Sequence, residues 1–238
     1  MTPDAIDALA RAGLSRRGFL RTSGALVVSF SADLYDRAGA AQGPFDTRQS
    51  HVDPRRLDSW IAITGDGKVT AYTGKCDLGQ GMLTAQTQLV AEELSVPPDR
   101  VTLIQCDTAV TPDQGTTSGS QSTPTNFNDR NLAQAAATAR EALLGMASER
   151  LGLVRDELAI TGGVIAAKRD GSRRLTYGEL VAGKRFNLPL DPRALRKPAS
   201  EWKVLGTSLP RVDMPSMATG QFEFVHNIRV PGCPAAVS

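Results

Sequence analysis

The sequence of 238 residues has little of several features that mark particular classes of protein. Its three cysteines, Cys76, Cys106 and Cys233, show no CxxC spacing, so they indicate neither a zinc site nor an iron–sulfur cluster. One disulfide, for example between Cys76 and Cys106, is an alternative, but we favour the interpretation that these are small buried residues. The two histidines, His51 and His226, are isolated in the sequence, and we assign neither a role.

The sequence also has no large excess of charge of one sign. It contains 27 Lys and Arg residues against 25 Asp and Glu residues, a formal net charge of +2. This balance produces no field strong enough to hold nucleic acid or an anionic membrane, so we expect no nucleic-acid partner. The 41% hydrophobic content is enough to build a core, and the length allows one large domain or two small ones.

The N-terminal region carries an apolar run, residues 24–30, that is far shorter than the ~18 to 20 residues a membrane crossing needs. It follows Arg16-Arg17 and Phe19-Leu20, a twin-arginine pattern, and it precedes the small-x-small pattern that ends at Ala40. We therefore predict that residues 1–40 are a twin-arginine signal for export to the periplasm, without a stable membrane anchor. An ordinary amphipathic helix is the alternative. Because this route exports folded proteins, usually after cofactor insertion, the signal predicts a cofactor.

The remaining sequence indicates an α+β fold. Alternation around residues 65–67 predicts a β-hairpin, and helical spacing predicts a helix over residues 82–94 that ends before Pro97-Pro98. The other predicted elements are, in order, a linker over 41–56, a strand over 100–106, a long loop over 107–128, an alanine-rich helix from near Asn128 to Gly152, a hairpin over 158–167, a short helix capped by Thr176, and a connector over 183–209.

A glycine-rich segment, Gly74-Lys-Cys-Asp-Leu-Gly-Gln-Gly81, lies directly before the first predicted helix. Gly79 and Gly81 would let backbone amides approach a ligand, and the N-terminus of the helix favours an electron-rich group. Gln80 offers an amide donor and an acceptor at the same turn. The segment is thus a candidate cofactor site, although a tight strand-to-helix turn without a ligand explains the same spacing.

A second segment, residues 115–124, is rich in glycine and hydroxyl side chains and leads towards the alanine-rich helix. Successive amides and hydroxyls of this kind form a concave set of donors that suits phosphate or pterin oxygens. It lacks the GK[ST] ending of a P-loop and the spacing of a dinucleotide fingerprint, so we reject both interpretations. A flexible surface loop remains the alternative.

Together these segments resemble the molybdopterin-binding large subunits of the molybdenum hydroxylases, the xanthine dehydrogenase and aldehyde oxidase family, in particular the isoquinoline 1-oxidoreductase beta subunit type. The resemblance rests on the motifs at residues 74–81, 91–94, 107–113 and 119–122, and on Pro210-Arg-Val-Asp-Met-Pro215. It implies molybdopterin as cofactor, as such or as a dinucleotide. It assigns the cofactor-binding role to Gly79, Gln80, Gly81, Ser118, Gly119, Ser120 and Ser122.

The resemblance also implies domains and partners. Residues 57–182 would be part of the molybdopterin-binding domain, and residues 210–238 the start of a truncated hammerhead domain. Family members are several times longer and carry a catalytic glutamate near their C-terminus, and we expect this chain to stop before that segment. We name no catalytic residue and no metal ligand, and we expect Glu92 and Glu93 to serve helix solvation and packing.

These expectations lead to two hypotheses of function. In the first, the chain is a fragment or split piece of an exported molybdenum hydroxylase, inactive alone, which hydroxylates an N-heterocycle or an aldehyde. Its partners would be a small [2Fe–2S] subunit and any remaining large-subunit domains encoded separately. In the second, the chain is a non-catalytic exported domain that binds a pterin or a partner protein.

Overall fold

A three-stranded sheet and two helices form the larger part of the structure, a computed structural model that describes residues 52–117, 127, 131–169, 171–224 and 227–228. Strands β1 (Ile61–Ile63) and β2 (Val69–Thr73) form the predicted antiparallel hairpin, with Ile61 opposite Ala71. Helix α1 (Met82–Leu94) then crosses to β3 (Val101–Gln105), which pairs with β2 in parallel. Alternate β2 side chains are buried, as expected when one face of a sheet covers a core.

Helix α2 (Leu132–Leu151) packs on α1, and its first two turns are almost wholly buried. Five alanines at positions 133, 135, 136, 137 and 139 have no exposed surface, so the two helix backbones can approach closely. The helix ends at Gly152, whose left-handed conformation favours glycine. The predicted end is confirmed. The predicted start near Asn128 lies outside the described residues, and the described helix begins at Leu132.

A second, smaller antiparallel sheet contains β4 (Leu158–Thr161), β5 (Val164–Ala167) and β6 (Arg174–Thr176). The first two strands form the predicted hairpin around Gly162-Gly163. Thr176 then caps helix α3 (Tyr177–Val181), and Glu179 completes a capping box. The Tyr177 hydroxyl donates to the carbonyl of Leu94 at 2.6 Å, which attaches α3 to the end of α1.

The long segment after α3 runs back over α1 and the first sheet. Leu57 N–H donates to the Leu188 carbonyl at 2.9 Å, and Leu190 N–H donates to the Arg55 carbonyl at 2.8 Å. A final short helix, α4 (Met214–Ala218), follows. Mixed helices and sheets confirm the predicted fold class, whereas the proposed domain boundaries stay predictions. Within the described part of the chain, no helix is both long and apolar enough to span a membrane.

Candidate functional site

Two loops leave the first sheet side by side. Loop A, residues 74–81, follows β2, and loop B, residues 106–117, follows β3. Because β2 and β3 are parallel neighbours, their carboxyl ends lie at the same edge of the sheet, where ligands of such sheets commonly bind. The structure therefore places the glycine-rich segment next to the chain that leads into residues 118–122. Ser118, Gly119, Ser120 and Ser122 themselves lie outside the described residues.

Gln114 joins the beginning of loop A to loop B. Its Oε1 accepts hydrogen bonds from the Thr73 hydroxyl at 2.9 Å and from Gly74 N–H at 2.8 Å. A Cβ atom at position 74 would overlap the carbonyl oxygen of Pro112. Glycine is thus required here because of the close approach of two backbones.

Lys75 makes a second connection between the loops. The residue is only 5% exposed, and its ammonium group donates to the carbonyls of Thr116 at 2.7 Å and Gly115 at 3.4 Å. The next residue, Cys76, donates its N–H to the Thr117 hydroxyl at 3.1 Å. A buried ammonium group needs such acceptors, so Lys75 fixes loop A against the residues directly before Ser118.

Cys76 and Cys106 form a disulfide, with their Cα atoms 5.8 Å apart. The sequence-based preference for small buried residues is therefore wrong for this pair, and the alternative is correct. The physical reason is the parallel pairing of β2 and β3, which brings the residues after each strand to one edge. A sequence separation of 30 residues gives no sign of this proximity. Cys233 lies outside the described residues.

Asp77, to which the sequence motifs gave no role, organises the turn of loop A. Its carboxylate accepts hydrogen bonds from the N–H groups of Gly79 at 2.8 Å, Gly81 at 3.2 Å and Leu83 at 2.9 Å. Its negative charge thus lies at the N-terminus of α1, where the helix dipole favours it. In this structure Asp77 accepts from both amides, and the cofactor-binding role of Gly79 and Gly81 stays a prediction.

Gln80 is exposed at the tip of this turn. Its Oε1 accepts from Leu78 N–H at 2.6 Å, and within the described part of the chain no acceptor binds its Nε2 group. Gly79 and Gly81 have positive φ angles of 101° and 81°, and no atom of the described residues lies within 4 Å of a Cβ built at either. The turn thus presents one amide donor above an open, glycine-lined surface.

Glu92 and Glu93 are buried, being 1% and 0% exposed, so the expected role in helix solvation is wrong. Glu93 binds the guanidinium groups of Arg140 at 2.8 Å and Arg196 at 3.1 Å. Glu92 binds the Lys197 ammonium at 2.5 Å. Because each carboxylate has a cationic partner, both can remain in the protein interior.

The chain after α3 is held on α1 by Glu92. Glu92 Oε2 accepts hydrogen bonds from the N–H groups of three consecutive residues, Lys203 at 2.7 Å, Val204 at 2.6 Å and Leu205 at 3.2 Å. Burial raises the pKa of Glu92, but the hydrogen bonds from Lys197 and these three amides outweigh it, so the net pKa lies below its usual value.

Arg211, which lies shortly before α4, reaches loop A. It donates to the Gly79 carbonyl at 3.2 Å, and it forms an ion pair with Asp213 at 2.6 Å. Val212 N–H donates to the Thr84 hydroxyl at 3.0 Å. Residues 211–213 therefore flank the turn that carries Gln80.

Comparison with known proteins identifies the family of this chain. The sequence of this chain matches the model of a family described as "Molybdopterin cofactor-binding domain" over residues 38–220. It is 39% identical over 180 residues to a subunit of nicotinate dehydrogenase from Pseudomonas putida, covering 76% of this chain and 15% of that protein. It is 28% identical over 261 residues to the beta subunit of isoquinoline 1-oxidoreductase from Brevundimonas diminuta, covering 92% and 32%.

A solved structure is also similar, that of quinoline 2-oxidoreductase from Pseudomonas putida 86. Its TM-score is 0.44 at 25% sequence identity, over 51% of this chain and 15% of that one. The chain thus spans less than a third of the length of the curated relatives named above.

Proposed function

This chain belongs to the molybdopterin cofactor-binding domain family, and from that membership we propose that loop A, together with residues 118–122, binds the molybdopterin cofactor of an exported molybdenum hydroxylase. The observation that carries the proposal is the joining of the two loops at one sheet edge by Gln114 and Lys75. Gly79, Gln80 and Gly81 then lie beside the chain that enters Ser118, Gly119, Ser120 and Ser122.

The residues of loop A fit such a ligand. A pterin has an edge of nitrogen and oxygen atoms, and the exposed Nε2 group of Gln80 can donate to an acceptor there. A Cβ at Gly79, Gly81 or Gly115 would meet no atom of the described part of the chain within 4 Å, which leaves room there for a flat group. When bound, the cofactor supplies the redox chemistry of the family's oxidoreductases.

The remaining residues of the site hold this arrangement in place. Asp77 fixes the turn through three amides, Lys75 and Gln114 fix its root against loop B, and Arg211 binds the Gly79 carbonyl. These contacts hold the turn and its root beside loop B, so that a ligand lying against both loops meets side chains already in place. Preorganisation of this kind reduces the entropy cost of binding.

A binding measurement tests the role of Gln80. Gln80→Ala should reduce the molybdenum and pterin retained per chain, because one hydrogen bond is lost. A bond worth about 0.5 to 1.5 kcal/mol corresponds to roughly two- to tenfold weaker binding. The matched control is Gln221→Ala, which removes another exposed glutamine, outside both loops. Equal cofactor content in both variants would remove Gln80 from the site.

Export is part of the proposal and rests on the twin-arginine pattern. Replacing Arg16 and Arg17 with lysine should leave the protein in the cytoplasmic fraction, because the export machinery reads the arginine pair. Arg11→Lys is the control, since it changes a neighbouring arginine outside the pair. Periplasmic delivery of the lysine-pair variant would refute the assignment.

We further propose that the active assembly hydroxylates an N-heterocycle or an aldehyde, with water as oxygen source and a small [2Fe–2S] subunit as electron acceptor. The support is that similar proteins are named as subunits of nicotinate dehydrogenase and isoquinoline 1-oxidoreductase. Glu92 and Glu93 are bound to buried cations and unavailable as a general base. We expect the purified chain alone to turn over none of nicotinate, isoquinoline and aldehydes. Turnover that tracks with bound molybdenum would contradict this.

A further inference from the structure

The Cys76–Cys106 disulfide joins the two loops of the proposed cofactor site where they leave the sheet. Cys76 lies between Lys75, which binds the Thr116 carbonyl, and Asp77, which holds the turn that carries Gln80. Cys106 is the first residue of loop B and has a positive φ angle of 52°. The crosslink is therefore the one covalent connection between the loops in the described part of the chain.

Without the crosslink, the loops would be joined by hydrogen bonds alone. Gln114 and Lys75 supply the main ones, and Cys76 N–H adds the bond to Thr117. Hydrogen bonds between two loops can open by local fluctuation, whereas a disulfide limits how far its two backbones can separate. Since a ligand held between the loops can leave when they move apart, the state of the disulfide affects its retention.

We propose that Cys76 and Cys106 form a redox clamp, which stays open as two thiols while the loops receive molybdopterin and closes after export to hold it. The proposal rests on the proposed function. Cytoplasmic thiols are kept reduced, whereas the bacterial periplasm is oxidising. A folded, cofactor-loaded chain that is exported from the cytoplasm to the periplasm therefore meets reducing conditions first and oxidising conditions second, the order that the clamp requires.

Closure proceeds by thiol–disulfide exchange with an oxidised protein disulfide carrier of the periplasm. The thiolate of one cysteine attacks the carrier's disulfide, and a mixed disulfide forms as one carrier sulfur leaves. The thiolate of the second cysteine then attacks the first, and the carrier departs as a dithiol. The pair loses two electrons and two protons, and the carrier gains them. Both cysteines are half-buried, so one of them can be reached by a carrier.

The test uses the full chain with Cys233→Ser, so that Cys76 and Cys106 are its remaining thiols. Thiol alkylation should label both cysteines in the cytoplasmic pool and neither in the periplasmic pool. Hydrogen exchange of residues 75–81 should be faster after reduction with a phosphine. Molybdenum should be released about two- to tenfold faster from the reduced chain, the effect expected for the loss of contacts worth one hydrogen bond. Cys76→Ser/Cys106→Ser should release it at that faster rate with or without reductant.

Each other outcome has a definite meaning. If oxidised and reduced chains hold molybdenum and release it at equal rates, the clamp is refuted and the proposed function stands. If neither form holds molybdenum, the proposed function fails, and the clamp fails with it. Two labelled thiols in the periplasmic pool would also refute the clamp. Should the double-serine variant fail to fold, the comparison of oxidised and reduced chain decides alone.

Discussion

Glu93 allows a direct measurement of what a buried ion pair contributes to this fold. Its side chain is 0% exposed and binds Arg140, 10% exposed, and Arg196, 20% exposed. Glu93→Gln keeps the size of the side chain but removes the carboxylate charge that binds both guanidinium groups, so that Arg140 retains only its longer contact with Glu141, at 3.4 Å. Breaking a buried pair in this way costs about 3 to 5 kcal/mol, because the remaining charge stays buried.

Glu141 is the matched control because it binds the same arginine. It lies 3.4 Å from Arg140 and 3.2 Å from Arg155, and its side chain is 34% exposed. Exposed pairs contribute about 0.2 to 1 kcal/mol, so Glu141→Gln should cost no more than that. Each substitution thus removes one carboxylate charge that binds Arg140, and the two carboxylates differ in how deeply they are buried.

The assay is urea denaturation followed by the fluorescence of Trp60, with Trp202 replaced by phenylalanine in all variants. Trp60 is 1% exposed and belongs to the core, so its emission reports global unfolding. At about 2 to 4 °C per kcal/mol, Glu93→Gln should also lower the melting temperature by roughly 6 to 20 °C. If both variants lose the same free energy of unfolding, the argument that the buried carboxylate contributes more to stability than the partly exposed one is refuted.

Two further predictions concern the chain held on α1 and the contact between the loops. The pKa of Glu92 is lowered from 4.5 in the folded state, so its contribution to stability is complete above pH 4.5 and is lost as the pH falls through the folded pKa. Trp202 fluorescence should report the release of the chain around Trp202 in acid, and Glu92→Gln should remove this transition. An unchanged transition in the variant would assign it to another group. Gly74→Ala should separate the loops and lower cofactor content, because its Cβ would overlap the Pro112 carbonyl. The control Gly65→Ala, where a Cβ has open space, should leave cofactor content unchanged. Full cofactor content in Gly74→Ala would show that the close contact between Gly74 and Pro112 is dispensable.

Several elements were predictable from sequence because their signals are local. The hairpin of β1 and β2 follows from alternation around a glycine turn, and α1 follows from helical spacing that ends before Pro97. Thr176 and Glu179 specify a capping box within four residues. In each case the residues that determine the structure are neighbours in the chain, so no knowledge of distant contacts is needed.

The parts that could not be predicted depend on residues far apart in sequence. Glu92 and Glu93 have the composition of a solvated helix face, and only the return of the chain with Arg196 and Lys197 makes their burial possible. Cys76 and Cys106 have no diagnostic spacing. Lys75 and Asp77 belong to the glycine-rich segment that the sequence marks as a candidate site. The carbonyls that accept from Lys75 and the amides that donate to Asp77 could not be identified from the sequence.

The sequence by itself determined the mixed fold class, the family and hence the cofactor, because these follow from motifs and from periodicities within single elements. The tertiary structure alone decided which segments meet. Parallel pairing of β2 with β3 brings loops A and B to one edge, and this creates the disulfide, the Lys75 contacts and the open surface beside Gln80. The physical reason is that a parallel crossover joins two strand ends that are separated by an entire helix in the sequence.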